Sequence, residues 1–216
     1  MTSITQTIWK CIDEDVVARR ALEKGIAGHK SLALYLLKEY RLGASIDAVI
    51  SAIRRYDRDT PLESRFAQAR KVILGSTDIR LISNTLILSV EKNKRNQELL
   101  GKVFSSISYE KGELLLIIQG EETLKVIINE KNKGKITALF GDGDIVSIVD
   151  HLALLTVNLT KDAVKTPGII AVLSTELTIN DINVIEMMSC LPEMMFFVKQ
   201  KDVLKAYKIL FDMCNR

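Results

Sequence analysis

The sequence predicts an α+β protein with an N-terminal helical domain followed by two ferredoxin-like βαββαβ units. Apolar residues recur at helical spacing through residues 4–75, whereas short β-type runs bounded by turn residues begin at Ser76. From Thr85 the runs follow the order β-α-β-β-α-β, and the same order starts again at Leu152. We expect a helical domain at 1–57, a connector helix at 58–75, a first unit at 76–150 and a second at 151–216.

Bulk composition favours a globular protein of the cytoplasm. Apolar residues make up 47% of the 216 residues, which is enough for two or three small cores. No apolar run is long enough to span a membrane, and the opening residues lack a basic segment followed by an apolar one. Cys11, Cys190 and Cys214 have no metal-ligand spacing. We therefore expect reduced thiols, no metal, no cofactor and no membrane partner.

The charge excess of the chain lies entirely in its first third. Residues 1–70 contain 12 Lys and Arg against 9 Asp and Glu, whereas residues 71–216 contain 18 of each. This mild excess permits binding to nucleic acid without requiring it.

Residues 4–56 are predicted to be helical. One helix over Asp15–Lys24 stops at Gly25, and another over Ser31–Tyr40 is followed by Gly43. Ser45 then caps a third helix. Its predicted buried stripe consists of Ile46, Val49, Ile50 and Ile53.

Two helices joined by a short turn containing Gly are typical of a helix-turn-helix. The second helix has an outer face of Ala48, Ser51, Ala52 and Arg55, and arginines gather at its end. Small residues let a helix enter a groove of DNA, and fixed cations contact the DNA phosphates. The alternative is a solvated helix end, because Asp47, Asp57 and Asp59 are close in sequence. The candidate DNA-binding residues are Ser45, Ala48, Ser51, Arg54, Arg55 and Arg58.

The connector helix has the clearest start signal in the chain. Thr60-Pro-Leu-Glu63 combines a capping Thr, a Pro at the first helical position and a Glu three residues after the cap. The helix is predicted to pass through Phe66, Ala69 and Val72 and to stop at Gly75.

The first unit is predicted to contain four strands and two helices, and one additional strand comes before them. The additional strand is Asp78–Ile82. Gly120-Glu121 is a hairpin-length connection, and Gly141–Asp144 is expected to be a turn because it lacks the rest of a phosphate or calcium loop. The predicted elements are strands at Thr85–Val90, Glu113–Gln119, Thr123–Ile128 and Ile145–Val149, and helices at Lys94–Ile107 and Glu130–Phe140.

The second unit has only three strands of its own. A run at Leu152–Leu159 is followed by the loop Thr160–Gly168, a helix from Ile169, strands at Ile182–Glu186 and Met194–Val198, and a helix from Asp202. A ferredoxin-like sheet with a missing strand would leave unpaired backbone groups at an open edge. We therefore predict that Asp78–Ile82 pairs in the same sheet as Leu152–Leu159 or Met194–Val198.

The motif Pro167-Gly-Ile169, followed by Ile182-Asn-Val184, resembles the ACT family of amino-acid-sensing regulatory domains. One unit inserted into another resembles the regulatory tail of aspartate kinases. The resemblance implies that an amino acid binds near the loop before the helix, commonly across an interface between two units. It also implies a dimer or larger assembly through sheet edges or helices.

The loop offers groups suited to the two ends of an amino acid. Asp162 could meet its ammonium, and Lys161 or free N–H groups at the helix start could meet its carboxylate. The alternatives are an ordinary helix opening at Pro-Gly and a structural role for Asn183. The candidate ligand-binding residues are Thr160, Lys161, Asp162, Thr166, Pro167, Gly168, Ile169 and Asn183.

The first unit departs from this pattern and is expected to be a degenerate copy. Its corresponding segment, Glu91–Gln97, contains no Pro-Gly. His29 and His151 are isolated from any Cys, Ser or second His at useful spacing, and no nucleotide or hydrolase motif is present. We expect no catalytic residues and no enzyme activity.

Two functions fit these observations. In the first, the chain is an amino-acid-responsive transcription regulator that binds DNA through its helical domain, a logic similar to that of the leucine-responsive regulators. In the second, it is a non-catalytic allosteric subunit of an amino-acid biosynthetic enzyme and acts by protein–protein contact.

Overall fold

The computed structural model describes residues 3–56 and 62–215. The chain divides into two compact bodies, one of Met1–Ala69 with Thr166–Gly168 and the other of Arg70–Lys165 with Ile169–Arg216. The second body contains both ferredoxin-like units. Helix α5 begins in the first body and ends in the second. The helices of the N-terminal part are α1 Ile4–Glu14, α2 Val16–Glu23, α3 His29–Glu39, α4 Ile46–Arg54 and α5 Leu62–Leu74.

The helical domain is built around the apolar faces of α1, α3 and α4. Ile8, Ile12, Leu36 and Ile53 are almost completely buried in one cluster. Side-chain caps start three of the helices, at Ser3, Asp15 and Ser45. The prediction of the exposed outer face of α4 is wrong at one position. Ala52 is fully buried, and its carbonyl accepts a hydrogen bond from Trp9 Nε1 at 2.9 Å.

In the N-terminal part, the predicted helix ends that fall on described residues agree with the structure to within two residues. Helix α3 begins at His29, before the predicted Ser31, because Gly28 takes the extended conformation at the cap. Helix α5 ends at Leu74, next to Gly75, as predicted. Its predicted start signal at Thr60 and Pro61 lies outside the described residues.

The rest of the described chain contributes one six-stranded antiparallel sheet in the order β2-β3-β1-β4-β6-β5. The strands are β1 Asp78–Glu91, β2 Leu115–Gln119, β3 Thr123–Asn129, β4 Ile145–Asn158, β5 Val184–Cys190 and β6 Glu193–Lys199. The helices are α6 Lys94–Ser106, α7 Lys133–Thr137, α8 Ile169–Ile179 and α9 Val203–Asn215. The predicted helix at Glu130–Phe140 is shorter than expected, since residues 130–132 form a 3-10 turn. Gly141–Asp144 is a turn, as predicted.

Strands β1 and β4 are each longer than predicted. The expected pairs of short strands, at 78–82 with 85–90 and at 145–149 with 152–159, are two continuous strands of 14 residues. Asn84 and His151 both have a φ of 54°, and the β1–β4 register shifts between Ile82 and Thr85. Such an irregularity bends a strand without ending it, so the hydrophobic runs looked separate in the sequence.

The pairing between β1 and β4 completes both units. Asp78 lies opposite Asn158 and Ile82 opposite Leu154, which confirms that the strand before the first unit belongs to the sheet of the second. The first half-sheet consists of β2, β3, residues 85–91 and residues 145–149, with α6 and α7. The second half-sheet consists of residues 78–82 and 152–158, β6 and β5, with α8 and α9. Each half has the ferredoxin-like βαββαβ arrangement.

The two half-sheets face each other across an apolar layer. Ile87 and Ile127 of the first half share this layer with Leu154 and Phe197 of the second. Alternate residues of the first half, such as Leu88 and Val126, instead pack with residues of α6 and α7. In the second half, α9 contacts β1, β4 and β6. The layers are therefore helix, sheet, sheet and helix. No helix within residues 3–56 and 62–215 is long and apolar enough to cross a membrane.

Candidate functional site

The predicted ligand loop connects β4 to α8 and is compact. Residues Lys161–Lys165 form a 3-10 helix, and α8 starts at Ile169 as predicted. Lys161, Asp162 and Pro167 are exposed, Thr160 and Gly168 are half-buried, and Thr166 and Ile169 are buried. Of the proposed polar contacts, Lys161 and Asp162 are therefore the most accessible.

Gly168 is required by the backbone itself. Its φ is +94°, a conformation that side chains with a Cβ rarely adopt. A Cβ at this position would lie 3.6 Å from Ala69 Cβ and 3.9 Å from the Arg65 carbonyl oxygen. The glycine thus faces residues of α5, and its conformation explains it without a ligand.

Other contacts also occupy the loop. A Cβ added to Gly75, just after α5, would lie 3.2 Å from Thr160 Cγ2. Asp162 and Thr166 already take part in polar interactions. An amino acid bound at this loop would have to join or replace those interactions.

Asn183 is separated from the loop by the length of α8. The loop precedes the first turn of this 11-residue helix, whereas Asn183 follows the last one. Because an α-helix rises 1.5 Å per residue, the two ends are about 15 Å apart. Asn183 lines a shallow cleft of about 450 Å³ with Ser174, Thr178 and Asp181. One small ligand therefore does not touch both parts of the predicted site within one chain.

A larger cavity lies between the last turns of α5, α8 and α9. Its volume is about 510 Å³, within the range of small-molecule sites. Arg70 and Lys71 of α5 line it together with Glu176 of α8 and Asp212 of α9. This cavity could not be predicted from the sequence, because three helices far apart in the chain form it and none of their lining residues belongs to a motif.

A buried thiol near the end of α9 contacts the segment that follows α5. Burial raises the pKa of the Cys214 thiol, and a hydrogen bond with Ser76 partly offsets the effect. Cys214 lies near the end of α9, and Ser76 follows α5 by two residues. The last turn of α9 therefore contacts the residues just after α5.

The predicted DNA-binding residues lie on the surface of α4 or at its ends. Ser45 and Ser51 are exposed, and Ala48 is half-buried. The Ser45 hydroxyl accepts a hydrogen bond from Ala48 N at 3.3 Å, so it acts as the helix cap. Arg54 and Arg55 are exposed at the other end of the helix. Arg58 lies outside the described residues.

Arg55 is held in place by two hydrogen bonds. Its Nε donates to the Ser51 carbonyl at 3.2 Å, and its Nη2 donates to Thr5 Oγ1 at 3.1 Å. Arg54 lacks an ion pair or side-chain hydrogen bond within the described part of the chain. The end of α4 therefore presents two exposed guanidinium groups, of which that of Arg55 is held in one orientation.

In the first unit, the segment equivalent to the ligand loop is tied into the fold. The Asn93 side chain caps α6 through Asn96 N at 2.8 Å. The Asn96 side chain is buried and donates to the Glu91 carbonyl at 2.9 Å. These bonds give the side chains of Asn93 and Asn96 a structural role, which favours the degenerate copy that the sequence predicts.

Glu130, Asp150 and His151 are the three potential metal ligands that cluster within the described residues. Lys133 Nζ lies 2.7 Å from Asp150 Oδ2, and this hydrogen bond holds the Asp150 pKa below its ordinary value. His151 Nδ1 lies 3.2 Å from Glu130 Oε1. Because the Lys133 ammonium already neutralises Asp150, we interpret the three side chains as a polar cluster beside the bend in β4 and not as a metal centre.

Comparisons with known proteins identify the fold of the sheet-containing part. No family model and no curated protein matches the chain. Among solved structures, the aspartate kinase of Clostridium acetobutylicum matches 65% of the chain at 20% identity and a TM-score of 0.54. The chain spans only 35% of that kinase.

Two shorter proteins are matched over nearly their whole length. One is a chain from the structure of the aspartokinase alpha and beta subunits, which matches 65% of this chain at 15% identity and a TM-score of 0.51. The match covers 99% of that aspartokinase chain. The regulatory subunit of aspartate kinase from Thermus flavus matches 64% at 12% identity, with a TM-score of 0.50 and 98% covered. These likenesses show an ACT-like fold in the arrangement of an aspartate kinase regulatory domain.

Proposed function

We propose that this chain is an amino-acid-responsive regulatory protein whose tandem ACT-like units act as the sensor. The observation that carries the proposal is the way the second unit is completed by residues 78–82. The regulatory subunit of aspartate kinase from Thermus flavus shares the fold of the sheet-containing part. The effector would be a free amino acid, held by the second unit rather than by the degenerate first one.

We further propose that the helical domain carries the output of the sensor by binding DNA. Helices α3 and α4 are joined by residues 40–45, a helix-turn-helix-like connection. The exposed side chains of Ser45, Ser51, Arg54 and Arg55 lie along α4 and at its two caps, and Ala48 lies between them. Arg58, outside the described residues, belongs to the same proposed set. Arg55 is pre-oriented by Thr5, which lowers the entropy cost of a phosphate contact. Asp47 on the same helix would limit the affinity.

A gel-shift titration with genomic fragments tests the DNA-binding half of the proposal. We expect retardation at low salt that weakens as salt rises, because phosphate contacts release counterions. Arg54→Ala and Arg55→Ala should each weaken binding several-fold. Lys94→Ala, which removes an exposed charge from α6, should not. Complete lack of retardation at low salt would contradict DNA binding.

The second candidate is a separate regulatory subunit of an amino-acid biosynthetic enzyme. The observation that favours it is that the chain covers 99% and 98% of two aspartate kinase subunit chains, so this fold also occurs without a catalytic domain. The helical domain would then be a docking module. A catalytic chain that co-elutes with this protein in gel filtration, together with no DNA retardation, would support this function over the first.

Self-association through sheet edges accompanies both candidates. β2 and β5 are the two edge strands of the sheet, and each has unpaired backbone groups along one side. Pairing of like edges in two copies would bury these groups and bring two helical domains into one particle. Sedimentation at micromolar concentration should therefore report a dimer or a larger species, and a monomer would contradict this arrangement.

A further inference from the structure

The cavity between α5, α8 and α9 has the charge distribution of a receptor for a zwitterion. Its cationic side chains, Arg70 and Lys71, both come from α5. Its acidic side chains come from the other two helices, Glu176 from α8 and Asp212 from α9. A ligand with an anion at one end and a cation at the other can therefore contact all three helices.

Apart from the amide of Asn180, the rest of the wall is apolar. Ile73 and Leu74 of α5 and Ile209 and Met213 of α9 line the same space. Apolar walls with a few polar groups are typical of small-molecule sites, and the volume of about 510 Å³ exceeds what one amino acid needs. The lining thus matches a carboxylate, an ammonium and an aliphatic side chain.

We propose that this cavity, and not the loop before α8, binds the effector as an α-amino acid with an aliphatic side chain. This inference rests on the proposed function, because it names the site and the ligand class of the sensor. The amino-acid carboxylate lies toward Lys71, and its ammonium lies toward Glu176. The side chain packs against Ile73, Leu74, Ile209 and Met213.

Lys71 and Glu176 carry the recognition in this proposal. Arg70 and Asp212 already take part in interactions of their own. Within residues 3–56 and 62–215, neither the Lys71 ammonium nor the Glu176 carboxylate has an ion pair or a side-chain hydrogen bond. Glu176 is half-buried, so pairing with an ammonium would offset part of its desolvation.

The position of the cavity also suggests how binding is transmitted. The cationic wall of the cavity is the last part of α5. This helix begins in the compact body that contains the helical domain. A ligand that joins α5 to α8 and α9 stabilises the end of that helix in one position. Differential stabilisation of one arrangement is what allows an effector to bias an output domain.

Calorimetric titration of the full chain with L-leucine tests the proposal. Two analogues remove one end each: 4-methylpentanoate lacks the ammonium, and 3-methylbutylamine lacks the carboxylate. We expect leucine to bind and each analogue to bind at least about tenfold more weakly, because a lost charge-assisted contact costs about that much. Analogues that bind as tightly as leucine would overturn the assignment of a zwitterion.

Variants locate the site. Lys71→Met and Glu176→Gln should each weaken leucine binding about tenfold or more. The matched changes on α6, Lys102→Met and Glu98→Gln, also neutralise exposed charges and should have no effect. Unfolding temperatures without ligand check that the pocket variants fold.

The possible failures are distinguishable. Leucine binding that survives both pocket changes but is lost in Asp162→Ala would overturn this inference and leave the proposed function standing. If other amino acids bind but leucine does not, the ligand class is wrong. If none of the twenty amino acids binds the unmodified chain, the proposed sensor function is overturned together with the site.

Discussion

Lys125 forms an ion pair with Glu186, although their strands are far apart in the sheet. Lys125 is on β3 and Glu186 on β5, and three strands lie between them in the strand order. In an open sheet with strands about 4.8 Å apart, these side chains would not meet. The contact is possible because β1 and β4 bend at Asn84 and His151, so that the two half-sheets face each other.

The first prediction is that Lys125 and Glu186 are energetically coupled. A double-mutant cycle with Lys125→Met and Glu186→Gln should give a coupling energy of about 1 kcal/mol, because both groups are partly buried. Lys10 and Glu14, an exposed pair within α1, serve as the control and should couple by no more than about 0.5 kcal/mol. Urea unfolding measures both. Equal coupling in the two pairs would contradict a specific contact between the half-sheets.

The second prediction concerns the strand that completes the second unit. A chain that starts at Thr85 lacks residues 78–82 and should lose amide-exchange protection across residues 152–210, although it keeps all of them. Removal of the strand leaves the backbone of residues 154–158 unpaired on one side. A chain that starts at Ser76 keeps the strand and should stay protected. Equal protection in both chains would show that the strand is dispensable.

The completion of the second unit could be predicted from the sequence by counting the strands of each unit. The run Asp78–Ile82 alternates like a strand, and the second unit lacks one strand, so its partner could be predicted. The face-to-face arrangement could not be predicted. It depends on positive φ angles at Asn84 and His151. Asn and His adopt positive φ more often than most residues, but this preference alone does not indicate a bend within a continuous strand.

The third prediction separates backbone strain from ligand binding at Gly168. Gly168→Ala should lower the free energy of unfolding by about 1–2 kcal/mol in the absence of any amino acid, because φ is +94°. Gly101→Ala is the control, since Gly101 lies within α6 with open space around its Cβ position. That change should stabilise the chain by about 0.5–1 kcal/mol. A neutral effect of Gly168→Ala would contradict the structural account of this glycine.

The fourth prediction is a pH dependence that originates at Glu113. Hydrogen bonds from Lys131 and from Ser108 N, at 2.8 Å each, lower the Glu113 pKa to about 2 from an ordinary value of 4.5. Because the folded pKa is depressed, the stabilisation is complete above about pH 4.5 and is lost as pH falls toward 2.

Glu113→Gln should therefore lower the urea midpoint at pH 7, and the difference from the unmodified chain should shrink between pH 4.5 and 2. Lys131→Met removes the partner and should weaken the same pH dependence. A difference that stays constant with pH would contradict the assignment to Glu113.

The functional site was harder to predict than the fold. Pro167-Gly168 and Asn183 suggested one site, yet α8 separates them, and α5 borders the loop. Arg70, Lys71, Glu176 and Asp212 belong to no motif, because the packing of three helices brings them together. Sequence spacing reports neighbours along one element, whereas this cavity depends on contacts between elements.

We propose that this chain senses a free amino acid. The decisive experiment is a thermal-shift screen of the full chain with each of the twenty amino acids at about 10 mM. We expect one amino acid or a few related ones to raise the unfolding temperature by several degrees, since a ligand at about 100 times its Kd adds about 2.7 kcal/mol. Unchanged unfolding temperatures with all twenty would contradict the claim.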